Sequence, residues 1–332
     1  MNHSPKILVV GSFVMDVIAA TKQLPKSGQT VYGQSFHTAC GGKGANQAVQ
    51  CARLGADVTM VGCVGDDLFG SQLLDTVRDS GVDISHCRVH PGVTTGVGHV
   101  TLEIRGDTAQ NRIIVIPGAN LSVSPGDIAF LRDTIGGYDM VLLQLEVPLE
   151  VNRTVARWAK EAGVPVMLNP APATELDAEL LSCVTYLTPN EQEAAAETHL
   201  PLRASEAGID REDLQQIAES LRFRGVEHVI ITLGGSGSAE VERSGIRYVP
   251  CVRMPQVADP TAAGDSFVAA FCTGLTAGLS QKDAMTFASY TAAITVSKMG
   301  AMPSLPRMAE VQALMRQRAY IGFNSPLPQA LR

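Results

Sequence analysis

The chain has 332 residues, a formal net charge of −7 and an aromatic content of 5%. A chain of this length can bury a large core, in one big α/β domain or in two smaller ones. The acidic balance and the lack of a basic run argue against a nucleic acid partner, and no uncharged apolar segment is long enough to span a bilayer, so no membrane partner is expected.

The cysteines are scattered singly and form no Cys-x-x-Cys pair: Cys40, Cys51, Cys63, Cys87, Cys183, Cys251 and Cys272. Their odd number and spacing predict reduced thiols in a cytoplasmic protein rather than a disulfide framework or a zinc site. His86, Cys87 and His90 are the nearest approach to a metal cluster. Because they precede Pro91-Gly92, we predict a surface turn there.

The apolar pattern alternates between strand and helix along most of the chain. Short runs of β-branched and aliphatic residues predict buried strands at 7–10, 58–63, 140–143, 166–168, 186–187 and 229–231. Helical spacing predicts helices at 47–54, 68–80, 149–162, 191–197, 211–224, 267–279 and 282–298, with one more short helix after 303. This alternation predicts an α/β protein whose mostly parallel sheet is covered by helices on both faces.

Two segments, 18–36 and 94–117, do not follow this alternation. The first contains Pro25, Gly28 and Gly33 and has no helical periodicity. The second alternates, is rich in Thr, Val and Ile, and has a polar turn at 105–107. We predict that the two segments pair into a small separate sheet, here called the lid sheet. Residues 1–17, 37–93 and 118–332 would then form the α/β domain.

Small or polar residues follow the predicted strands, as at Gly11-Ser12, Glu146, Asn190 and Gly234. In an open parallel sheet, ligands bind beyond the carboxyl ends of the strands. Side chains that are far apart in sequence can therefore converge at this edge. The candidates are Asp16, Lys43, Asn46, Glu146, Asn190 and Asp265.

The stretch from Ala258 to Phe267 predicts a loop that leads into the N-terminus of a buried helix. Its small side chains allow a ligand to approach the backbone, and the first amides of a helix have no intrahelical partner, so they suit a phosphate. Asp265 lies among these donors and can accept a proton from a hydroxyl group. This combination favours phosphoryl transfer to an alcohol. The alternative is that Asp265 only caps the helix.

Other nucleotide-binding motifs are missing or ambiguous. The chain has no G-x-x-x-x-G-K-[S/T], which excludes a P-loop enzyme, and its first strand is not followed by G-x-G-x-x-G. The glycine-rich stretches 41–44 and 234–237 are each open to two interpretations, a close approach to a ligand or a tight turn. Asp16 could bind a ligand or merely cap a strand end.

Together these motifs resemble the PfkB-type carbohydrate kinases. The resemblance is carried by Gly-Gly-Lys-Gly-Ala-Asn at 41–46, Asn-Pro-Ala-Pro-Ala at 169–173, Thr-Pro-Asn-Glu-Gln-Glu at 188–193, Ile-Thr-Leu-Gly at 231–234 and Gly264-Asp265. It runs from about residue 6 to about residue 306, in the order typical of the family, and is greatest to its ribokinase branch. It implies a ribokinase-like three-layer α/β/α sandwich with a mostly parallel central sheet and a β-sheet lid that often doubles as a homodimer interface.

The resemblance also implies a role for each motif residue. Asp265 would be the base that takes the proton from the primary hydroxyl of the sugar. Ala262, Ala263 and Gly264, with the amide of Asp265, would form the anion hole for the migrating phosphoryl group. The implied sugar contacts are Val14, Met15, Asp16, Gly42, Lys43, Gly44, Ala45, Asn46, Glu146 and Asp265. Asp16 and Glu146 would accept hydrogen bonds from sugar hydroxyls, while Lys43 and Asn46 would donate.

The implied cofactors are ATP, Mg²⁺ and K⁺. The nucleotide contacts would be Asn190, Thr232, Leu233, Gly234, Gly235, Ser236, Gly237, Gly264 and Ser289. Glu193 would act on Mg²⁺ through water. The positions that match a K⁺ site are Asp259, Thr261, Thr295, Lys298, Gly300 and Ser304, and most would ligate through backbone carbonyls.

One departure from the ribokinase pattern concerns the substrate. Ribokinases have Gly-Ser-x-Asn-x-Asp after the first strand, whereas this chain has Val14 in place of the Asn. Either water fills the gap, or the sugar lacks a hydroxyl, as 2-deoxyribose does. The sequence therefore predicts a kinase for the 5-hydroxyl of D-ribose, with 2-deoxyribose or another furanose or nucleoside as the alternative. A non-catalytic sugar-binding protein and a dinucleotide oxidoreductase are the candidates from other classes.

Overall fold

A computed structural model describes residues 4–105, 108–205, 208–242 and 245–318. The strands are β1 (Lys6–Val10), β2 (Val14–Thr21), β3 (Ser35–Gly41), β4 (Asp57–Gly65), β5 (Val82–His90), β6 (Gly96–Arg105), β7 (Thr108–Ile116), β8 (Met140–Leu143), β9 (Val166–Leu168), β10 (Tyr186–Leu187), β11 (Ala204–Ser205), β12 (Gly208–Ile209), β13 (His228–Thr232), β14 (Ser238–Glu242) and β15 (Gly245–Val249).

The α-helices are α1 (Lys43–Arg53), α2 (Leu68–Asp79), α3 (Leu131–Thr134), α4 (Leu149–Glu161), α5 (Ala178–Leu181), α6 (Glu191–Thr198), α7 (Arg211–Phe223), α8 (Ala263–Thr276), α9 (Gln281–Val296) and α10 (Met308–Gln317). Within the described ranges, no helix combines the length and the apolar character needed to cross a bilayer.

The central sheet has nine strands in the order β15-β14-β13-β10-β9-β8-β1-β4-β5. The pairs from β13 through to β5 are parallel, and β14 and β15 add an antiparallel hairpin at one edge. Each parallel strand directs its carboxyl end to the same edge of the sheet. That edge is where the predicted site residues would meet.

Two separate cores cover the two faces of the sheet. Ile7 and Val9 of β1 belong to the core that α1, α8 and α9 complete, whereas Leu8 and Val10 belong to the core under α4 and α7. This alternation is expected because successive side chains of a strand point to opposite faces. The predicted three-layer α/β/α sandwich with a mostly parallel sheet is therefore confirmed.

The second sheet has four strands in the order β3-β2-β6-β7. It contains parts of both segments that were predicted to leave the main fold, so the small separate sheet is confirmed. Its first strand begins at Val14, earlier than the predicted segment, and pairs antiparallel with β3 and parallel with β6. Asp16 lies opposite Ala39 on one side and Gly98 on the other. The first strand of the lid sheet thus contains three of the predicted sugar contacts, Val14, Met15 and Asp16.

The predicted surface turn at His86, Cys87 and His90 is wrong, because these residues lie in the edge strand β5. A bulge in the pairing of β4 and β5 shifts the register there and breaks the two-residue alternation that would have indicated a strand. The His86 ring stacks on Phe130 with ring centroids 3.8 Å apart. Helix α8 begins at Ala263, four residues before its predicted start.

Candidate active site

Two glycines bring the start of α1 against the end of the first strand. Gly42 has φ 94°, and a Cβ there would lie 2.6 Å from the amide nitrogen of Val14. A Cβ on Gly44 would lie 2.4 Å from the amide nitrogen of Ser12. No other residue fits these positions without displacing backbone. The glycine-rich stretch therefore acts as a close approach of helix and strand, and it places Lys43 and Asn46 at the strand ends.

Asp265 lies in the first turn of α8 and is only 8% exposed. Its carboxylate accepts a hydrogen bond from Asn46 Nδ2 at Oδ2 and one from Gln47 Nε2 at Oδ1, both at 2.9 Å. Ala262, at the N-cap, adopts a left-handed conformation with φ 60°. Within the described ranges, the amides of Gly264 and Asp265 donate to no other group, and Gly264 faces open space. A carboxylate and free amides thus share one helix start.

Glu146 follows β8 and is fixed by two donors. Ser12 Oγ donates to Glu146 Oε2, and so does the backbone amide of Lys43, at 2.9 Å. The other carboxylate oxygen of Glu146 remains as an acceptor. Asn46 uses its NH₂ group on Asp265, whereas the sequence predicts that it donates to the sugar. Its Oδ1 is buried and has no partner in the described part of the chain.

Asp16 is enclosed by glycines of both neighbouring strands. A Cβ on Gly98 would lie 2.3 Å from Asp16 Oδ1, and one on Gly41 would lie 3.1 Å from Oδ2. Burial, with the charges of Glu146, Asp259 and Asp265, raises the pKa of Asp16 to about 6. Among the described residues, no donor reaches its carboxylate. Such a group is suited to accept hydrogen bonds from ligand hydroxyls.

Lys43 is the cation of this cluster. Burial alone would lower the pKa of its ammonium group, but Asp265, Glu146 and Glu193 reverse that effect and raise the pKa above its ordinary value. Lys43 therefore remains charged among three carboxylates. The same electrostatic contacts bring together residues from α1, α6, α8 and the loop after β8. These strand and helix ends converge in the structure, as the sequence predicts.

Most of the predicted nucleotide residues lie at the end of β13, whereas Gly264 lies in α8. Asn190 forms an isolated bridge with Thr232, and it also caps α6: its side chain accepts from the amide of Glu193 at 2.8 Å, while Glu193 Oε2 accepts from the amide of Asn190 at 2.9 Å. Gly234 and Gly235 face open space, which leaves their backbone accessible. Burial raises the pKa of Glu193, and Lys43 partly opposes this effect. Ser289 lies buried in α9.

The residues predicted to hold a monovalent cation join the loop before α8 to the loop after α9. Asp259 accepts from the amide of Thr261 at Oδ1 and from the amide of Gly300 at Oδ2, both at 2.9 Å. Thr295 Oγ1 donates to Ser266 Oγ at 2.7 Å and so links the two helices. The Lys298 side chain points to Glu310 on α10, and Ser304 Oγ donates to the carbonyl of Ala301.

Carboxylate and carbonyl oxygens are the donors that a hard cation takes, so the loop that Asp259 organises fits a monovalent cation. For Mg²⁺, the described residues contain no group of three or more His, Cys, Asp and Glu side chains that could hold a metal ion.

Three residues of the site were missed by sequence analysis. Gln47 contacts the Asp265 carboxylate directly. Gly98 leaves room for the Asp16 carboxylate. Asn120 binds the backbone of Phe13 through both ends of its amide, each at 2.8 Å, and so fixes the loop between β1 and β2. None of them follows a predicted strand of the main sheet, although Gln47 directly follows the Gly-Gly-Lys-Gly-Ala-Asn motif.

Comparisons with known proteins agree with this geometry. The family model described as "pfkB family carbohydrate kinase" matches residues 4–308. The chain is 37% identical over 313 residues to the ribokinase of Lactococcus lactis, covering 94% of this chain and 97% of that protein. It is 33% identical over 306 residues to the deoxyribokinase of Salmonella typhi, covering 92% and 96%.

The fold of this chain is also similar to that of a relative of known structure. The structure of Arabidopsis thaliana ribokinase complexed with ribose and ATP superposes with a TM-score of 0.85 at 33% identity, over 95% of this chain and 99% of that one. The carbohydrate kinase class predicted from the motifs is confirmed, and the interpretation as a dinucleotide oxidoreductase is set aside. The chain belongs to the pfkB family of carbohydrate kinases.

Proposed function

We propose that this protein is an ATP-dependent kinase that transfers the γ-phosphate of ATP to the 5-hydroxyl of D-ribose. The observation that carries the proposal is the start of α8, where the Asp265 carboxylate lies beside amides that have no acceptor in the described part of the chain and within hydrogen-bonding distance of Asn46. The ribokinases among the relatives support ribose as the substrate.

Each residue has a part in the transfer. Asp265 accepts the proton of the attacking hydroxyl, and Ala262, Ala263 and Gly264, with the amide of Asp265, hold the phosphoryl group as it moves. A carboxylate at a helix N-terminus is a weak base, which suffices if the transition state is loose and the proton leaves late. Asp16 and Glu146 accept hydrogen bonds from sugar hydroxyls. The Lys43 ammonium lies among three carboxylates and offsets the negative charge of the phosphate that approaches them.

The nucleotide and its ions would bind next to these residues. Within the stretch from Thr232 to Gly237, the exposed backbone of Gly234 and Gly235 would lie against ATP beside Asn190, and Mg²⁺ bound by the phosphates would neutralise charge on them. Glu193 would orient a water molecule of that Mg²⁺. A K⁺ ion at the loops joined by Asp259 would order the start of α8, so that its amides point at the phosphate.

Replacement of the base tests the proposal. Asp265→Asn keeps the size of the side chain but removes the proton acceptor, so kcat is expected to fall by about 10³-fold or more while the sugar still binds. ADP release with ribose gives kcat, and calorimetric titration with ribose gives the affinity. Gln50→Met, a change in an equally buried side chain of α1 that does not contact Asp265, serves as the control. Near-normal turnover by Asp265→Asn would rule out this mechanism.

A second substrate, 2-deoxyribose, is favoured by Val14. Val14 is 6% exposed and lies on the same face of β2 as Asp16, with both side chains against Gly98. An apolar group beside that carboxylate suits a sugar that lacks one hydroxyl. If 2-deoxyribose is the substrate, its kcat/KM exceeds that of ribose, and Val14→Asn shifts the ratio towards ribose. If ribose is the substrate, the wild-type ratio already favours ribose.

The assembly that we propose is a homodimer through the lid sheet, in the cytoplasm. Strand β7 exposes four consecutive apolar residues, from Ile113 to Ile116, with 43–65% of each side chain accessible. Such an exposed apolar strand is typical of an interaction surface. The cysteines are all free thiols, which suits a reducing compartment.

A further inference from the structure

The carboxylate of Asp265 is held by a second side chain that the proposed reaction does not use. Gln47 is fully buried on α1 and donates from Nε2 to Asp265 Oδ1 at 2.9 Å. Asn46 donates to the other oxygen, Oδ2. If a sugar hydroxyl takes the place of Asn46 at Oδ2, Gln47 alone keeps the carboxylate in position.

A chain of buried amides fixes which end of Gln47 faces Asp265. Gln144 Nε2 donates to Gln47 Oε1 at 2.6 Å, and Gln47 Nε2 also donates to Asn169 Oδ1 at 3.2 Å. Asn169 is oriented in turn, because its Nδ2 donates to the carbonyl of Thr188 at 3.0 Å. The backbone of Gln144 is held by Asn152, whose Nδ2 donates to the Gln144 carbonyl at 2.8 Å.

The alternative orientation of Gln47 is excluded by the chemistry of its neighbours. A flipped amide would direct Oε1 at both Asp265 Oδ1 and Asn169 Oδ1, so that three acceptors would meet without a proton between them. In the observed orientation, both N–H groups of Gln47 donate and its oxygen accepts. Every hydrogen-bonding group of this buried side chain is therefore satisfied.

We infer that Gln47 is a positioning residue for phosphoryl transfer: it holds Asp265 Oδ1 through the Gln144–Gln47–Asn169 amide chain and leaves Oδ2 to the attacking hydroxyl. This inference rests on the proposed role of Asp265 as the base. The charged groups that face Asp265 are Lys43 of α1, Asp16 of β2 and Glu193 of α6, and Glu146 and Asp259 lie around Asp16 and Lys43. None of these is changed by a substitution at Gln47.

Gln47→Met is the direct test, since it keeps the length of the side chain and removes the donor. With ATP and ribose, we expect kcat to fall by about tenfold or more and the KM for ribose to change by less than about threefold, because the sugar contacts stay in place. The acidic limb of kcat against pH should move up by about one pH unit, since the charged carboxylate has lost a donor. Gln47→Glu should move it further, because it adds a like charge.

Two other variants separate positioning from stability. Gln144→Met leaves Gln47 in place but removes the donor to its Oε1, so the Gln47 amide is held less firmly and the limb should move in the same direction by a smaller amount. This variant also serves if Gln47→Met does not fold. Gln50→Met, three residues along α1, removes an equally buried amide that bonds to Pro306 and Ser266 and should leave the pH profile unchanged. Thermal unfolding confirms that each variant is folded.

The outcomes distinguish this inference from the proposed function. If Asp265→Asn is inactive while folded Gln47→Met and Gln144→Met keep the wild-type kcat and pH profile, the positioning role is overturned and the proposed base remains. If Asp265→Asn turns over ribose at a normal rate, both are overturned. A pH shift of equal size in Gln50→Met would assign the effect to the loss of any buried amide and would also overturn the inference.

Discussion

Asp16 illustrates how a residue proposed to bind the sugar is kept at a cost to stability. Its carboxylate is partly buried, has other carboxylates around it and receives no hydrogen bond from the described residues. Burial without a partner disfavours the charged form. The protein therefore folds around an acceptor that no described residue satisfies and that the hydroxyl groups of the proposed sugar would satisfy.

Asp16→Asn should consequently stabilise the fold and weaken sugar binding. A pKa of about 6 in the folded state, above the ordinary value of 3.8, means that folding favours the protonated form. The cost of the charge therefore grows as pH rises from about 4 to about 6 and is complete above that, where it amounts to roughly 3 kcal/mol at most.

Thermal unfolding from pH 4 to pH 8 measures this effect. The gain in the melting temperature of Asp16→Asn should be largest at pH 7–8 and fade towards pH 4, while the KM for ribose rises by about tenfold or more. Asp79→Asn, at an exposed position, is the control and should change little. A lower melting temperature for Asp16→Asn at pH 7–8 would contradict the prediction.

Whether a single residue of the candidate site could be predicted depended on its position relative to strand ends and helix starts. Asp265, Asn46 and Lys43 were predicted to converge because each follows a strand end or opens a helix, and those ends meet at one edge of a parallel sheet. Gln47 was not predicted, since its contact with Asp265 requires the actual packing of α1 against α8. Gly98 was missed because it matters only through the space that it leaves for the side chain of Asp16, which lies on a neighbouring strand.

At the scale of elements, the pairing of β2 with β6 decides the shape of the proposed sugar site. Asp16 is opposite Gly98, and Val14 is opposite Gly96. A Cβ on Gly96 would lie 2.4 Å from Asn120 Nδ2. Both glycines of β6 therefore leave space for a side chain from a neighbouring element, Gly96 for Asn120 and Gly98 for Asp16. The register between two strands of the lid sheet thus sets the position of the Asp16 carboxylate.

Gly98→Ala should therefore impair sugar binding more than turnover. The added Cβ would meet Asp16 Oδ1 at 2.3 Å, so the carboxylate must move. The KM for ribose is expected to rise by about tenfold, with kcat reduced much less, because Asp265 is untouched. Steady-state kinetics with ribose measure both. Gly137→Ala, where a Cβ would meet nothing within 4 Å, is the matched control. Unchanged KM in Gly98→Ala would show that Asp16 does not contact the sugar.

Elements with regular periodicity were predicted well and irregular ones were not. The strands at 140–143, 166–168 and 186–187 have the predicted bounds, because short aliphatic runs in a fully covered sheet have few alternatives. Strand β5 was missed because a bulge interrupts its alternation, and the β14–β15 hairpin was missed because its strands mix charged and apolar residues at the sheet edge. Helix α8 was placed late because Ala263 to Asp265 resemble a loop.

At the scale of the whole molecule, the lid sheet leaves apolar surface uncovered. Ile114 and Val115 are neighbours in β7, so they point to opposite faces of the sheet, yet they are 65% and 56% exposed. One face turns towards the sugar site and the other away from it. A partner subunit on the outer face would remove that apolar area from water.

Ile114→Glu and Val115→Glu test the proposed dimer by placing a charge on each face in turn. If the lid sheet forms the interface, wild-type protein sediments as a dimer, and one of the two variants shifts to a monomer because a buried unpaired charge disfavours association. Analytical ultracentrifugation measures the mass. Leu68→Glu, at an exposed apolar residue of α2, is the control. A monomeric wild type, or two variants that remain dimers, would exclude this interface.

The parallel pairing of β2 with β6 joins two stretches that are distant along the chain, one following β1 and the other following β5. The lid sheet is therefore not an inserted module with a single pair of attachment points. Transplanting either stretch alone from a related kinase would leave a strand without its mate, so a chimera that exchanges sugar preference needs both stretches from the same parent.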